Sequence, residues 1–271
     1  MKARIKFQKY GAMKFVGHLD VMRYFQKMFR RAGIDNEYTK GFSPHQIMSF
    51  AAPLGVGLTS DAEYVDIQLL SSESPQVMMD RMNAAMTEGF RVIGYHPLLE
   101  REENKKNVTA MSLVCSADYL VSLKDGYSIS DNLTGQEDFR KAFLDFINQK
   151  EIITDKKTKT SEKAVDIRPM ITLTAFSRQE YEDKLTNLMA VQLPKSRKAD
   201  SVADCYNSGI AVYLQLDTGS AANLKPETVM EAFCNFLDCP YEKFAWQVHR
   251  LEVYTRTAED KGLAALDQVD R

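Results

Sequence analysis

Residues 2–7, KARIKF, alternate strictly, with Ala3, Ile5 and Phe7 on one side and Lys2, Arg4 and Lys6 on the other. A period of two is the signature of a strand in a sheet with one wet face, and it fixes the first element of the fold. The period then changes. Over residues 18–32, Met22, Phe25, Phe29 and Ala32 share one side of a helical wheel, while Arg23, Lys27, Arg30 and Arg31 share the opposite side. Gly33 stands where such a helix should end.

The elements that follow extend this start. A loop at 38–45 leads to an expected strand at 47–51, a break at Pro53-Leu54-Gly55-Val56-Gly57, and a second alternating run at 63–70. Ser74 and Pro75 open a helix to about residue 86, and residues 90–95 supply another strand. The order βαββαβ is that of the ferredoxin-like arrangement, a four-stranded antiparallel sheet with two helices on one face. Residues 97–109 (PLLEREENKKNVT) are charged and aperiodic and read as a linker. Beyond them the order repeats: a strand within 111–123, a helix at 136–148, strands near 165–176 and 210–216, a helix opened by Pro226 and a strand near 246–254. The expected class is α+β, with two tandem ferredoxin-like domains at 1–97 and 110–271. Residues 155–163 read as a hairpin or loop. Residues 177–208 read as a polar insertion with a helix near 179–189.

Composition bounds the function. A chain of 271 residues that is 44% hydrophobic can bury a sizeable core. No run approaches the ~20 apolar residues of a membrane span, and MKARIKFQKY lacks the apolar stretch of a signal peptide. A cytoplasmic protein with no membrane partner is expected. Cys115, Cys205, Cys234 and Cys239 show no CxxC spacing, so reduced thiols, no metal site and no cofactor are the expectation.

Charge is distributed unevenly. The first fifty residues hold ten Lys/Arg against three acids, a local +7 inside a chain of net charge −2. Such placement points to an anion, and RNA is the first polyanion to consider. The stripe Arg23, Lys27, Arg30 and Arg31 would contact a phosphate backbone, or else form a solvated face. In the loop Tyr38-Thr39-Lys40-Gly41-Phe42-Ser43-Pro44-His45, Lys40 would pair with a phosphate and Tyr38 or Phe42 would stack on a base. The structural alternative is a turn whose aromatics plug the core edge. His18, at the start of the first helix, and His45 form a pair with the chemistry of a general acid and base for metal-free cleavage through a 2′-hydroxyl. Capping or core packing is the competing role for each. Gly55 and Gly57 make a glycine turn rather than a dinucleotide fingerprint. Asp166 and Arg168 read as a strand-edge salt bridge. Trp246 and His249 read as packing of the second domain.

Several of these residues also carry a family resemblance. Phe15-Val16-Gly17-His18-Leu19-Asp20, Arg30-Arg31-Ala32-Gly33, Gly41-Phe42-Ser43-Pro44-His45, Ser49-Phe50, Pro53-Leu54-Gly55-Val56-Gly57 and Glu63-Tyr64 follow in an order that resembles the bacterial radical-SAM-associated proteins, a family of otherwise unknown function. Asp166-Ile167-Arg168-Pro169 and Lys225-Pro226-Glu227 resemble its later landmarks. The resemblance implies a companion to a radical-SAM enzyme in a setting of RNA metabolism and RNA modification. This chain has no CxxxCxxC of its own. A fainter similarity, at the level of fold, is to the repeat-associated proteins that process CRISPR RNA.

The leading expectation is a non-catalytic accessory protein that binds RNA or an RNA-linked substrate and presents it to a radical-SAM enzyme. His18, Arg23, Lys27, Arg30, Arg31, Tyr38, Lys40, Phe42 and His45 would make the contacts. The alternatives are a metal-independent endoribonuclease using His18 and His45, and a protein docking module.

Overall fold

The computed structural model of the chain describes residues 1–99, 109–130, 133–157, 162–191, 201–220, 222–257 and 262–269. In chain order the elements are β1 (Lys2–Lys9), α1 (His18–Arg31), β2 (Met48–Phe50), β3 (Thr59–Gln68), α2 (Pro75–Ala84) and β4 (Phe90–Leu98). Then come α3 (Ala110–Leu113), β5 (Ser116–Leu123), α4 (Gln136–Ile147), β6 (Ile153–Lys157), β7 (Glu162–Asp166), β8 (Ile171–Ala175) and α5 (Arg178–Thr186). The last are β9 (Ala211–Asp217), α6 (Pro226–Phe236), β10 (Trp246–Arg256) and β11 (Leu263–Ala265). Among the described residues strand β6 pairs with β7 alone, antiparallel, in the region expected to be a hairpin or loop near 155–163.

The remaining strands form one nine-stranded sheet in the order β4-β1-β3-β10-β5-β9-β8, with β2 on β3 and β11 on β10. This overturns the tandem ferredoxin-like architecture, and the fold-level similarity to CRISPR RNA-processing proteins loses its basis with it. The order βαββαβ is present in residues 2–98. However, β2 is only three residues long and covers β3 at Val65 to Ile67 alone. Strand β1 occupies the opposite edge of β3 from Ser60 to Gln68. The rest of the uncovered edge would leave backbone N–H and C=O groups unpaired, and β10 takes them.

The chain divides into two compact units. The first comprises residues 1–115, 189–203 and 250–271, and the second residues 116–188 and 204–249. In the first, Phe7, Phe25, Phe29, Phe50 and Phe90 are buried in one apolar cluster with Met28, Met78 and Met82 from the two helices. Phe25 sits at its centre, with ring centroids 4.6 Å from Phe7, 5.5 Å from Phe50 and 5.9 Å from Phe90.

The other face of β1 is not wet, which corrects the reading of its alternation. Arg4 is wholly buried and Lys6 nearly so. Arg4 makes two bonds to the Asp66 carboxylate, 2.8 and 3.1 Å, and donates to the Leu266 carbonyl at 2.7 Å. Lys6 donates to Glu252 at 2.5 Å, and Tyr64 donates to the same carboxylate at 2.6 Å. These acids lie between 60 and more than 240 residues away in sequence, so alternation alone could not reveal them. Removing one partner from a buried pair of this kind costs about 3–5 kcal/mol, because the other charge is left uncompensated.

The second unit has its own aromatic core, in which Phe139, Phe143, Phe146, Phe233 and Trp246 meet at centroid distances of 4.8 to 6.2 Å. Buried Asp118 accepts from the Tyr181 hydroxyl at 2.5 Å and the Gln215 amide at 2.9 Å, so its charge is served within the unit. The expected strand at 165–176 is broken between β7 and β8 by a tight turn at Arg168–Met170, as Pro169 requires. Asp166 and Arg168 serve backbone there instead of each other. Asp166 accepts from the Ile152 and Arg168 amides, and Arg168 Nε donates to the Ile147 carbonyl at 2.6 Å. The linker expected at 97–109 lies outside the described residues at 100–108. Pro97 and Leu98 end β4, and Thr109 caps α3. In the expected insertion, α5 is the anticipated helix, and residues 192–200 lie outside those described.

Candidate nucleic-acid interface

Helix α1 begins without a side-chain cap, since Gly17 occupies the capping position, and ends before Gly33 at φ +62°. Val21, Phe25, Met28 and Phe29 face the core. Arg23, Lys27, Arg30 and Arg31 are all exposed on the side away from it. Arg23 bonds to Asp20 at 3.2 Å across an exposed turn. Arg31 donates to the Ala85 carbonyl at 2.9 Å and lies 5.8 Å over the Tyr24 ring. Lys27 and Arg30 make no ion pair with any described residue. The helix therefore presents a cationic row to water, and its last two members, in the last turn, offset the negative end of the helix dipole.

The local charge excess is smaller at the surface than in the sequence. Arg4, Lys6 and Lys9 are internal, leaving seven cations against Asp20, Asp35 and Glu37 among the first fifty residues, an excess of four.

The 38–46 loop is closed by backbone. Tyr38 and Gln46 form a bridge, and the Thr39 amide donates to the His45 carbonyl at 2.9 Å. Gly41, at φ +121°, lets the tip reverse. The tip carries Lys40 and Phe42 in solvent, and the Phe42 ring is fully exposed. Tyr38 is exposed as well, and its hydroxyl accepts from the Gln46 amide at 3.3 Å. The aromatics therefore face water and do not plug the core.

The two histidines occupy separate surroundings. His18 packs edge-on against Phe50, centroids 5.3 Å apart, and lines a cavity of about 10 Å³ with Phe7, Lys9, Val21, Pro53, Leu54 and Glu63. That space holds about one water and no organic ligand. Burial lowers the His18 pKa, so the neutral ring is favoured. Beside it, burial pushes the Glu63 carboxyl up despite the Arg250 guanidinium, whose Nε lies 3.1 Å from Oε1 and whose Nη2 donates to Oε2 at 3.4 Å. Burial likewise lowers the Lys9 ammonium, which donates to the Val16 carbonyl at 2.9 Å. His45 instead meets its own loop, with Nδ1 3.1 Å from Thr39 Oγ1 and 3.4 Å from the Ser43 carbonyl. Among the described residues, the hydrogen bonds and ring contacts of the two histidines share no partner.

Sequence reasoning did not select Phe15, Leu19 or Val56, which are 67%, 62% and 61% exposed. Large apolar side chains in water are the signal that finds them, and only coordinates supply it. Among the described residues no group of three or more His, Cys, Asp or Glu is placed to hold a metal ion, and no helix is long and apolar enough to cross a membrane.

No curated protein matches the chain. Among solved structures it is similar to a chain of a Cbf5-Nop10-Gar1 complex, at 6% identity and a TM-score of 0.40, over 93% of this chain and 48% of that one. It thus spans about half the length of that chain. Residues 2–226 match a family described as uncharacterized proteins conserved in bacteria, and nothing in that description links the family to radical-SAM enzymes, so the expected association is unsupported. With a match running through both of its units, the chain belongs to this bacterial family, DUF2344.

Proposed function

We propose that this chain is a non-catalytic RNA-binding protein. Its α1 row holds the phosphate backbone, its 38–46 loop offers Phe42 and Tyr38 to a base, and it presents the bound strand to a partner enzyme. One observation carries the reading: four cations share the water-facing side of one helix, and two of them, Lys27 and Arg30, make no ion pair with a described residue. Contacts of this kind position a nucleic acid without reading its sequence.

The test is the double charge reversal Arg23→Glu with Arg30→Glu, read by fluorescence anisotropy of a labelled single-stranded RNA across a salt series. Loss of two phosphate contacts should flatten the slope of log K against log salt by about 1.4 and weaken binding at every salt concentration. A folded double variant with unchanged affinity and slope would sink the reading. Loss of a co-purifying enzyme with RNA affinity intact would move the row to protein docking.

A further inference from the structure

At the other end of the row lies a second feature, made of apolar surface. Phe15, Leu19 and Val56 are each more than 60% exposed, although a soluble chain gains nothing by holding three large apolar side chains in water together. Their segments are tied to one another. The Gly57 amide donates to the Lys14 carbonyl at 2.7 Å, and the open side of Gly17 faces Val56 Cγ2, which a Cβ there would meet at 3.8 Å. The Val16 carbonyl takes the Lys9 ammonium, and the Gly17 carbonyl accepts the Val21 amide at 3.0 Å to start α1. The patch is thus held on a fixed frame.

Its electrostatics select the occupant. The Lys14 ammonium lies 5.7 Å over the Phe15 ring. Leu19 is the first member of the water-facing row that continues one turn at a time through Arg23, Lys27 and Arg30. The acid beside the row, Asp20, is tied to Arg23 at 3.2 Å. An apolar aromatic surface that runs directly into a line of cations matches a ligand with a flat apolar face attached to a chain of anions.

We infer that Phe15, flanked by Leu19 and Val56, is a stacking platform for an unpaired nucleobase, and that the ligand of this face is single-stranded RNA rather than duplex. This deepens the proposed function and rests on it. In a duplex the base faces are stacked on each other and closed to protein, whereas a single strand offers them freely. From Leu19 to Arg30 the row is about 16 Å long at 1.5 Å per residue, enough for a few successive phosphates beyond a base held at the platform.

Three 12-nucleotide probes separate the terms: oligouridylate, an abasic ribose-phosphate strand of the same charge, and an RNA duplex. The wild-type protein should bind oligouridylate more tightly than the abasic strand or the duplex. Phe15→Ala should weaken oligouridylate binding by about 5-fold to about 150-fold, leave abasic binding and the salt slope unchanged, and be rescued by Phe15→Trp. If Phe15→Ala binds oligouridylate like wild type while Arg23→Glu with Arg30→Glu weakens it, the platform is refuted and the phosphate row stands. Indifference of RNA binding to both variants refutes both. If Phe15→Ala releases a protein partner and leaves RNA binding intact, the patch is a protein surface and the inference is overturned.

Discussion

His18 shows how a single side chain changes meaning with its surroundings. At the start of a helix beside cations, an imidazole suggests an anion contact. Here the ring is edge-on to Phe50 in a small recess that Lys9 and Glu63 also line, and burial lowers its pKa below the ordinary 6.5. The folded state therefore resists the proton that the unfolded chain accepts. Because the unfolded chain binds more protons as pH falls through 6.5, His18 stability is full above that value and is lost below it, toward the lowered folded pKa. His18→Phe keeps an aromatic ring against Phe50 and removes the titration. We expect wild type to lose more thermal stability than His18→Phe between pH 7.5 and pH 5.5, read by circular dichroism melting. Parallel pH profiles would contradict this. A neutral ring at pH 7 also adds no charge to the phosphate row, which leaves its cations on α1 and at Lys40 and Lys14.

At the scale of elements, the helices were legible and the sheet was not. Apolar residues at helical spacing, Gly33 after α1, and Pro75 and Pro226 at helix starts placed α1, α2 and α6 within a few residues of where they lie. These signals are local, and so are the forces behind them. The alternation in β1 located a strand, but its polar side is covered by Glu252 and Asp267, and partners at that separation leave no local trace. The site divides the same way. The cationic row and the exposed loop tip follow from helical spacing and from Gly41, whereas no local pattern marks Phe15 as exposed. It is exposed because the tight turn Gly11–Phe15 turns it outward, and that turn depends on Gly89. There the backbone has φ +95°, a Cβ would lie 2.5 Å from Met13 Cγ and 2.9 Å from the Tyr10 carbonyl oxygen, and the Gly89 carbonyl accepts the Tyr10 amide. Gly89→Ala should cost about 1–3 kcal/mol in urea denaturation through backbone strain, with the close contact adding to it. It should also shift the NMR signals of Phe15 and Val16. A variant of wild-type stability with an unmoved turn would show that the approach is looser than these distances imply.

For the molecule as a whole, continuity of sequence and continuity of structure part company. The first unit draws residues 189–203 and 250–271 into a body begun by residues 1–115. Those late residues are chemically necessary to the early ones. Glu252 and Asp267 face the buried Lys6 ammonium, at 2.5 and 3.8 Å, and the Leu266 carbonyl takes an Arg4 N–H. A fragment of residues 1–98 holds the complete βαββαβ order and every aromatic ring of the first core. It lacks the carboxylate that neutralises Lys6 and the strand that covers the free part of the β3 edge. An uncompensated buried ammonium costs several kcal/mol, comparable to the whole stability of a domain this size. We therefore expect the fragment to show no cooperative thermal transition and to associate through β3, while the full chain melts cooperatively. A monomeric fragment with a sharp transition and dispersed amide signals would show that Lys6 finds water or another partner when Glu252 is gone, and that the late segments only cover a fold that residues 1–98 already specify.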